Sequence, residues 1–382
     1  MIDLSLSAPQ QEVRDKFRSF ADRHIIPARM HHDRDSSFPF EIMNKAWDEG
    51  IFNSPIPEQY GGSGCSFTES ALASEELGAG CVGMGITIDT HTLACLPILL
   101  SGSQSCRTSL FGQIMKRRMI GAFCLTEPDA GSDIGNLKTT AERKGGSYIL
   151  NGRKRFITNG EIAGFHTVFA KTDSSAGARG ISIFFVPAGV AGVKIVSRMD
   201  KMGQRAAVQN EIEYENVEIP QEYLIGTEGG GFKTAMKTFN RTRISIAALA
   251  LGNARAAWEY AGNWASRRIQ FGKPVTVNQG VSFKLAEMRT EIEAARLLIW
   301  NAASAIDRNT SEQAMLSSMA KYYATDKAMR ITEDAVQVMG GEGYSKEHPV
   351  EKMMRDAKLC QIYEGTNEIQ KLIISKNMFS RS

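Results

Sequence analysis

The stretch MRDAKLCQIYEGTNEIQ, residues 354–370, sets a carboxylate between an aromatic residue and a glycine. Tyr363 can exclude water beside Glu364, and Gly365 lets another group approach the backbone closely. Because loss of water raises the pKa of a carboxyl group, a carboxylate in such surroundings is a stronger base. The pattern therefore favours a site that abstracts a proton.

A structural role for the same glutamate is also open on the sequence alone. The residues after it have mostly apolar side chains at helical spacing, and a glutamate near the first turn of a helix suits the helix dipole. The residues that predict this helix are Ile369, Leu372, Ile373 and Lys376. Glu364 is therefore either a base or a helix cap at this point.

Composition limits the classes of partner. The chain has 382 residues, and its hydrophobic content of 42% is normal for a globular protein of one large domain or two to three ordinary ones. Lys and Arg number 45 against 42 Asp and Glu, a formal net charge of +3, and no basic block with interleaved aromatics is present. Nucleic acid is therefore not expected as a partner.

Cysteine usage and hydropathy bear on location. The six cysteines form no CxxC pairs, and no His/Cys cluster has zinc-like spacing. This pattern predicts reduced thiols, no metal site and a cytoplasmic protein. The N-terminus lacks a charged segment before an apolar core, and nowhere do about 18 apolar residues run consecutively. We therefore expect neither secretion nor a membrane span.

Three parts of the chain differ in periodicity, which predicts a mainly α protein with an inserted β domain. Residues 1–117 have helical spacing divided by Pro and Gly breakers, so we expect an N-terminal helical domain there. In residues 118–228 apolar and polar side chains alternate, and β-branched and aromatic residues are enriched. This pattern predicts a middle β domain. The predicted strands are 119–125, 147–157, 166–171, 182–187, 193–197 and 210–217, with a hairpin turn at Asn151-Gly152.

Residues 229–382 have the strongest periodicity and predict a C-terminal helical bundle. Apolar positions within residues 281–306 alternate spacings of four and three, which is one seam of a packed helix. An earlier stripe over residues 236–264 has the same spacing but is interrupted by Arg243. Because an unpaired buried charge is costly, Arg243 needs either an internal ion pair or a ligand. No low-complexity linker is visible, so we expect the three parts to pack as one unit.

Two other sites are not favoured. His91 stands alone on an apolar helix, where a histidine is more often a satisfied core residue. No GxGxxG motif follows a predicted strand and opens a helix, so a Rossmann-type dinucleotide site is not supported. A dinucleotide cofactor, if one binds, must be held in another way.

A second informative stretch, LTEPDAGSD at residues 125–133, follows a predicted strand. Its small and hydroxyl residues leave backbone N–H groups open to carbonyl or phosphate oxygens. It closely resembles the TEPxAGSD flavin-binding motif of the acyl-CoA dehydrogenases, and FITNG at residues 156–160 resembles their [WF]ITN segment. Residues 362–370 resemble the catalytic segment of that family, closest to the medium-chain and short-chain enzymes. Similar stretches, which extend the likeness over nearly the whole chain, are 57–62, 201–205, 239–243, 268–274, 278–279 and 337–344.

The resemblance implies a fold of N-terminal helical domain, middle β domain and C-terminal four-helix bundle. It also implies an FAD-dependent enzyme that desaturates the α,β bond of an acyl-CoA thioester. Glu364 would take the α-proton, its backbone N–H would help to polarise the thioester carbonyl, and the β-hydrogen would leave as a hydride to flavin N5. Electrons would then pass to an electron-transferring flavoprotein.

The resemblance also assigns residues to the cofactor. Those that would contact the flavin ring and ribityl chain are Phe123, Leu125, Thr126, Ser132, Phe156 and Thr158, with the Thr158 hydroxyl near flavin N5. Thr366 and Glu368 would also contact FAD. Arg268, Phe271 and Gln279 would serve its pyrophosphate and adenosine, and Gln337 and Gly341 would reach that FAD from a neighbouring subunit of a homotetramer.

Substrate contacts follow from the same resemblance. Ser132 would lie along the pantetheine, Arg243 would address CoA, and Tyr363 and Gly365 would contact the substrate. Asn240 would lie beside the CoA adenine, where the family often has Asp or Gly. Phe156 replaces the Trp of the medium-chain enzyme with another flat aromatic surface, and the helix around residues 86–90 would set the depth of the acyl pocket.

Other functions stay open on the sequence. An enzyme of the same fold could be an acyl-CoA oxidase that reduces oxygen, or an enoyl-CoA reductase that runs the reaction backward. A non-catalytic helical interaction protein could also keep the fold. Retention of Glu364, Thr126, Ser132 and Thr158 argues against the non-catalytic alternative, and the acyl group itself is not indicated.

Overall fold

In the computed structural model, which describes residues 5–379, the chain begins with a group of helices. Serines cap three of them: Ser7, Ser66 and Ser103 each accept a hydrogen bond from a backbone N–H three residues on. The first two also form capping boxes, with Gln10 and Glu69. The helices are α1 (Ala8–Phe20), α2 (Arg29–Asp35), α3 (Phe40–Asp48), α4 (Phe67–Gly80), α5 (Val82–Ser101) and α6 (Gln104–Arg117), and a π-helical turn, Ala21–Ile25, follows α1.

Helix α5 is the central helix of this part. By length and composition it could cross a membrane, but 83% of its most apolar window is buried inside the fold. His91 on this helix is fully buried, accepts a hydrogen bond from the backbone N–H of Gly121 and bonds the Asn53 side chain at 3.1 Å. Burial lowers the pKa of His91 to about 3. The prediction of a satisfied core histidine is confirmed.

The middle of the chain is a curled sheet. The strands are β1 (Gly121–Cys124), β2 (Thr140–Lys144), β3 (Ser147–Thr158), β4 (Phe165–Lys171), β5 (Ile181–Pro187), β6 (Val193–Arg198) and β7 (Gln209–Pro220). Their order is β1-β4-β2-β3-β7-β6, with β5 paired to β4. Strand β1 runs parallel to β4, and the β2–β3, β3–β7, β4–β5 and β6–β7 pairs are antiparallel. The predicted fold class, mainly α with an inserted β domain, is confirmed.

Two predicted details of the sheet are wrong. Strand β2 escapes the sequence prediction because it is short, ends in three exposed charged residues and buries one side chain. The turn predicted at Asn151-Gly152 lies inside β3, which continues past a register shift between Leu150 and Gly152. The hairpin that joins β2 to β3 turns instead at Gly145-Gly146, where Gly145 has a φ of 61°.

The C-terminal part is a bundle of long helices. The elements are α7 (Gly231–Arg267), β8 (Ile269–Gln270), β9 (Lys273–Pro274), α8 (Gln279–Asp307), α9 (Gln313–Met339), α10 (Gly341–Tyr344), α11 (Val350–Cys360) and α12 (Asn367–Phe379). The predicted seam of α8 is buried from Met288 to Ile306 and joins the same apolar core as α4 and α7. Helix α7 has 37 residues, about 56 Å, and passes from the sheet to the far end of the bundle.

Candidate active site

Glu364 lies in the turn that joins α11 to α12. Its φ is 53° and that of Gly365 is 88°, so the backbone is left-handed at two successive residues. This turn directs the carboxylate toward α7, where it accepts a hydrogen bond of 2.6 Å from the Thr242 hydroxyl. Beside it, Tyr363 packs on the main apolar core and its hydroxyl contacts the Gln204 amide and the Cys360 sulfur, each at 3.4 Å.

The helix-cap interpretation of Glu364 is wrong. Thr366 caps α12 instead: its hydroxyl accepts a hydrogen bond of 3.4 Å from the backbone N–H of Ile369 in the first turn. Glu368 is exposed in that first turn, where hydrogen bonds to its own backbone and to Thr366 lower its pKa. The carboxylate of Glu364 is instead engaged with α7, so it is free of any capping role.

Burial dominates the electrostatics of Glu364. The residue keeps some accessible surface, but desolvation of its carboxyl group raises the pKa to about 7. The Thr242 hydroxyl and the positive charges of Arg243 and Lys321 oppose this rise, because each stabilises the carboxylate. A general base works best when its pKa lies near the operating pH. The turn therefore holds a carboxyl group suited to accept a proton near neutral pH.

A second carboxyl group, Asp89 on α5, faces Glu364. Its oxygens accept from the Ser74 hydroxyl at 3.1 and 3.3 Å. Burial raises the pKa of Asp89 to about 7, and the negative charge of Glu364 adds to the rise. From the sequence, the segment around Asp89 is predicted only to set the depth of the acyl pocket. The signal that could have identified Asp89 is a single acidic residue on an otherwise uncharged apolar helix.

Arg243 is buried on the apolar stripe of α7, with 4% of its surface exposed. Its guanidinium donates to the Asn240 side-chain oxygen at 3.0 Å and lies 6.0 Å from the centre of the Phe239 ring. Desolvation lowers its pKa to about 10 although the charge of Glu364 opposes this. Within residues 5–379 its Nε has no hydrogen-bond partner and no carboxylate pairs with it. The ion-pair alternative is therefore not supported, and a donor stays available to a ligand.

The loop of residues 125–133 rests on a buried ion pair that the sequence analysis missed. Lys154, on β3 and fully buried, donates to Glu127 at 2.7 Å and to the Leu125 carbonyl at 3.0 Å. Glu127 also accepts from the backbone N–H groups of Lys138 and Thr139. These bonds tie the loop to β3 and to the start of β2. The signal was present, because Lys154 interrupts the inward face of a predicted strand.

Beside this loop lies an open surface that contains several of the predicted flavin residues. Phe156 has a φ of 59° and is 56% exposed. Thr126 and Thr158 are half-buried, and the Thr158 hydroxyl accepts from the Gln209 amide at 3.1 Å. Ser132 is exposed further along the loop. The surface thus combines a flat aromatic ring with hydroxyl groups.

Phe123 and Leu125 lie beneath that surface. Both are buried, at 9% and 5% exposure. The Phe123 ring packs 4.8 Å from Phe169 and 5.8 Å from Phe239 of α7, measured between ring centres. These contacts bring the end of β1 against the same helix that carries Thr242. The structure therefore joins the loop, β3 and the Glu364 turn around the first third of α7.

A separate cleft of ≈ 530 Å³ lies where the end of α7 meets the end of α9. Arg268, Phe271, Gln337 and Gly341 all line it. The Phe271 side chain is 100% exposed, and no atom lies within 4 Å of the position that a Cβ on Gly341 would take. Gln279 is exposed at the start of α8, next to the cleft.

The family resemblance assigns Arg268 and Gln337 to different subunits, yet both line the same cleft of one chain. Thr242 and Arg268 are 26 residues apart along the line of α7, which is about 39 Å. The cleft and the Glu364 turn of one chain are thus too far apart to hold the two ends of one dinucleotide.

Comparison with known proteins decides the family. Models of the N-terminal, middle and C-terminal domains of acyl-CoA dehydrogenase match residues 7–117, 122–217 and 229–379. The chain belongs to the acyl-CoA dehydrogenase family. This family consists of FAD-binding oxidoreductases that act on acyl-CoA, so the predicted resemblance, enzyme class and cofactor are confirmed.

Full-length relatives support this assignment. An acyl-CoA dehydrogenase of Bacillus subtilis is 43% identical over 376 residues, 98% of each chain. The cyclohex-1-ene-1-carbonyl-CoA dehydrogenase of Syntrophus aciditrophicus is 39% identical over 98% of this chain and 90% of its own. Among solved structures, butyryl-CoA dehydrogenase from Megasphaera elsdenii is 38% identical with a TM-score of 0.96, over 99% of this chain and 100% of its own. A chain in a structure of the electron transferring flavoprotein of Acidaminococcus fermentans is 39% identical with a TM-score of 0.97, over 100% of both chains.

The residues of this chain fit FAD, the cofactor of the family. The cleft offers a guanidinium, an amide and open glycine backbone, which suit a pyrophosphate and a sugar. The surface around Phe156 offers an aromatic face and hydroxyls, which suit a flavin ring and its polar edge. No group of three or more His, Cys, Asp or Glu side chains suited to a metal ion is found within residues 5–379.

Proposed function

We propose that the chain catalyses α,β-dehydrogenation of an acyl-CoA thioester, with Glu364 as the base that removes the α-proton. The observation that carries the proposal is the buried Glu364 carboxyl, whose pKa is about 7 and which is held on a left-handed turn against Thr242. FAD, when bound, supplies the acceptor for the β-hydride.

The α C–H of a thioester is a weak acid, so its removal needs help from the protein. We propose that the backbone N–H of Glu364 polarises the thioester carbonyl, because a donor aimed at the developing oxyanion stabilises the transition state. Thr242 keeps the Glu364 carboxylate in one orientation, and Tyr363 shields it from water. Gly365 leaves room for the thioester beside the turn.

For the CoA part we propose Arg243, because its Nε is buried and has no partner within residues 5–379. Asn240 accepts a hydrogen bond from Arg243. We therefore propose that Asn240 orients the guanidinium, in place of the adenine contact that the family resemblance implies. Ser132, exposed on the loop after β1, would lie along the pantetheine.

The proposed FAD site needs two copies of the chain. The Glu364 side of one copy would hold the flavin ring through Thr126, Phe156 and Thr158, with Thr366 and Glu368 at the adjoining end of α12. The cleft of a second copy would hold the pyrophosphate and adenosine. Exposed apolar residues around that cleft and along α8 support such an interface: Ile269, Phe271, Val277, Phe283 and Leu297. We propose a homotetramer built as a dimer of dimers.

For the acyl group we propose a short or compact chain. Asp89 and Ser74 place polar groups on the side of the site that faces Glu364, and burying a long alkyl chain against a carboxyl group is unfavourable. Relatives named for cyclohex-1-ene-1-carbonyl-CoA and butyryl-CoA support this size class. For the electron acceptor we propose an electron-transferring flavoprotein, supported by the Acidaminococcus structure, and for the location the cytoplasm.

A screen of acyl-CoAs tests the proposed function. Each compound is added without oxygen to the FAD-loaded protein, and loss of the flavin absorption band is measured. Butyryl-CoA and cyclohexanecarbonyl-CoA should bleach the band faster than palmitoyl-CoA. If no saturated acyl-CoA bleaches it while an enoyl-CoA oxidises the reduced flavin, the enzyme is a reductase; rapid reoxidation by air would make it an oxidase.

A further inference from the structure

Lys321 on α9 is a charged residue behind the Glu364 turn for which the proposed reaction has no role. Its side chain is fully buried, at 0% exposure. The ammonium group donates to the Gly365 carbonyl and to the Asn367 side-chain oxygen, each at 2.9 Å. Desolvation lowers the pKa of Lys321 to about 8. Within residues 5–379 no carboxylate pairs with the Lys321 ammonium. Because burying an unpaired lysine opposes folding, a functional reason for this arrangement is expected.

The hydrogen bond from Lys321 to the Gly365 carbonyl restrains the left-handed turn. Two donors meet at the Gly365 carbonyl, the Lys321 ammonium and the Gln370 amide at 2.8 Å. The Gln370 amide also reaches the Glu364 carbonyl at 3.3 Å. The backbone at Glu364 and Gly365 is thus clamped from α9 on one side and from α12 on the other.

The charge of Lys321 acts on the Glu364 carboxyl group. A nearby positive charge favours the ionised carboxylate, whereas a nearby negative charge opposes it. The ionisable groups that face Glu364 are Asp89 from α5, Arg243 from α7, Lys321 from α9 and Tyr363 from its own turn. Those that face Lys321 are Cys360 from α11, Arg243 from α7, Asp326 from α9, Glu364 from the turn and Glu368 from α12.

We propose that Lys321 is a positioning residue for the base: its ammonium group fixes the Gly365 carbonyl, and its charge favours the carboxylate form of Glu364. The inference rests on the proposed function of Glu364. Lys321 touches the turn from behind and acts on the proton transfer only through Glu364.

Two substitutions separate the charge from the tether. Lys321→Gln removes the charge but keeps an N–H donor, and Lys321→Met removes both. The Gln370 amide still holds the Gly365 carbonyl in either variant, so both should fold. The matched control is Lys327→Met on the same helix, because Lys327 pairs with Glu291 and is not among the groups that face Glu364.

The test measures the titration of Glu364 directly. Infrared difference spectra of the FAD-loaded protein, taken against Glu364→Gln, report the carboxyl stretch as a function of pH without any turnover. Both Lys321 variants should raise the midpoint by about 1 pH unit, and Lys327→Met should leave it unchanged. A midpoint equal to that of the wild-type protein in both Lys321 variants would overturn the inference.

Rapid flavin reduction by an acyl-CoA gives the second measurement. Lys321→Gln should lose about 5-fold in rate at neutral pH and recover at high pH, where its Glu364 is ionised. Lys321→Met should keep a rate loss at high pH, because the turn has also lost its tether. Absence of reduction in the wild-type protein would defeat the proposed function, whereas an unchanged pH profile in Lys321→Gln beside an active wild type would defeat this inference alone.

Discussion

Glu364 and Asp89 are two desolvated carboxyl groups whose pKa values both lie well above the ordinary range. Desolvation is the largest cause for both, and the negative charge of Glu364 adds to the rise at Asp89. A group whose pKa is higher in the folded state than in the unfolded chain stabilises the fold below its unfolded pKa and ceases to do so as pH rises through its folded value. As pH rises from about 4 to about 7, ionisation of the two groups should therefore lower the free energy of unfolding.

The raised pKa of Asp89 predicts the effect of Asp89→Asn. The variant removes a buried acid, so its free energy of unfolding at pH 8 should exceed that of the wild type by roughly 1 to 3 kcal/mol, and the difference should vanish near pH 4. It should also lower the apparent pKa of flavin reduction, since a like charge near Glu364 is gone. Urea unfolding at both pH values checks the first effect. If Asp89→Asn were instead less stable than the wild type at pH 8 and similar to it at pH 4, the fold would need Asp89 as an anion.

At the scale of elements, the helices and most strands follow from the sequence because periodicity reports which face of an element is buried. For this reason the sequence predicts the buried seam of α8 and the apolar stripe of α7, including its interruption at Arg243. The sequence does not predict the strand β2 or the turn at Gly145, because a short, largely charged strand has no apolar pattern. The Lys154 and Glu127 pair was also missed, because the partners are 27 residues apart and their contact depends on tertiary packing.

The loop of residues 125–133 gives a prediction at this scale. Lys154→Met leaves the Glu127 carboxylate buried without its ion-pair partner, which typically costs on the order of 3 to 5 kcal/mol. The thermal midpoint should fall, and FAD should be lost before the helices unfold. The double variant Lys154→Met with Glu127→Gln should recover part of the stability, because no unpaired charge is left. Equal stability of Lys154→Met and wild type would mean that water or another group satisfies Glu127.

At the scale of the whole molecule, Arg268 and Gln337 line one cleft of a single chain, although the family resemblance assigns them to different subunits. Distances along α7 could not be judged without knowing that its 37 residues form one unbroken helix. With that length, the cleft of one chain and the Glu364 turn of the same chain cannot share one FAD. The proposed oligomer follows from this geometry.

Arg268→Ala tests the composite site. If the cleft of one copy holds the FAD of another, loss of Arg268 should weaken both FAD retention and assembly, since ligand binding and association are linked by mass action. Flavin content and mass are measured together by size-exclusion chromatography with light scattering at several protein concentrations. Arg267→Ala is the control, because its side chain bonds the Asn263 carbonyl of its own helix. A monomer with one FAD per chain would contradict the two-copy site.

The assignment of Glu364 as the base is tested most directly by Glu364→Gln. The amide is close in size to the carboxylate and can still accept from Thr242, so fold, flavin content and acyl-CoA binding should persist. It cannot accept a proton at neutral pH, and a positioned base typically contributes about 10² to 10⁴-fold. Anaerobic flavin reduction by the best acyl-CoA from the screen, followed by stopped flow beside a thermal melt, should therefore slow at least 100-fold. Reduction at the wild-type rate by a folded, FAD-loaded Glu364→Gln enzyme would contradict the account.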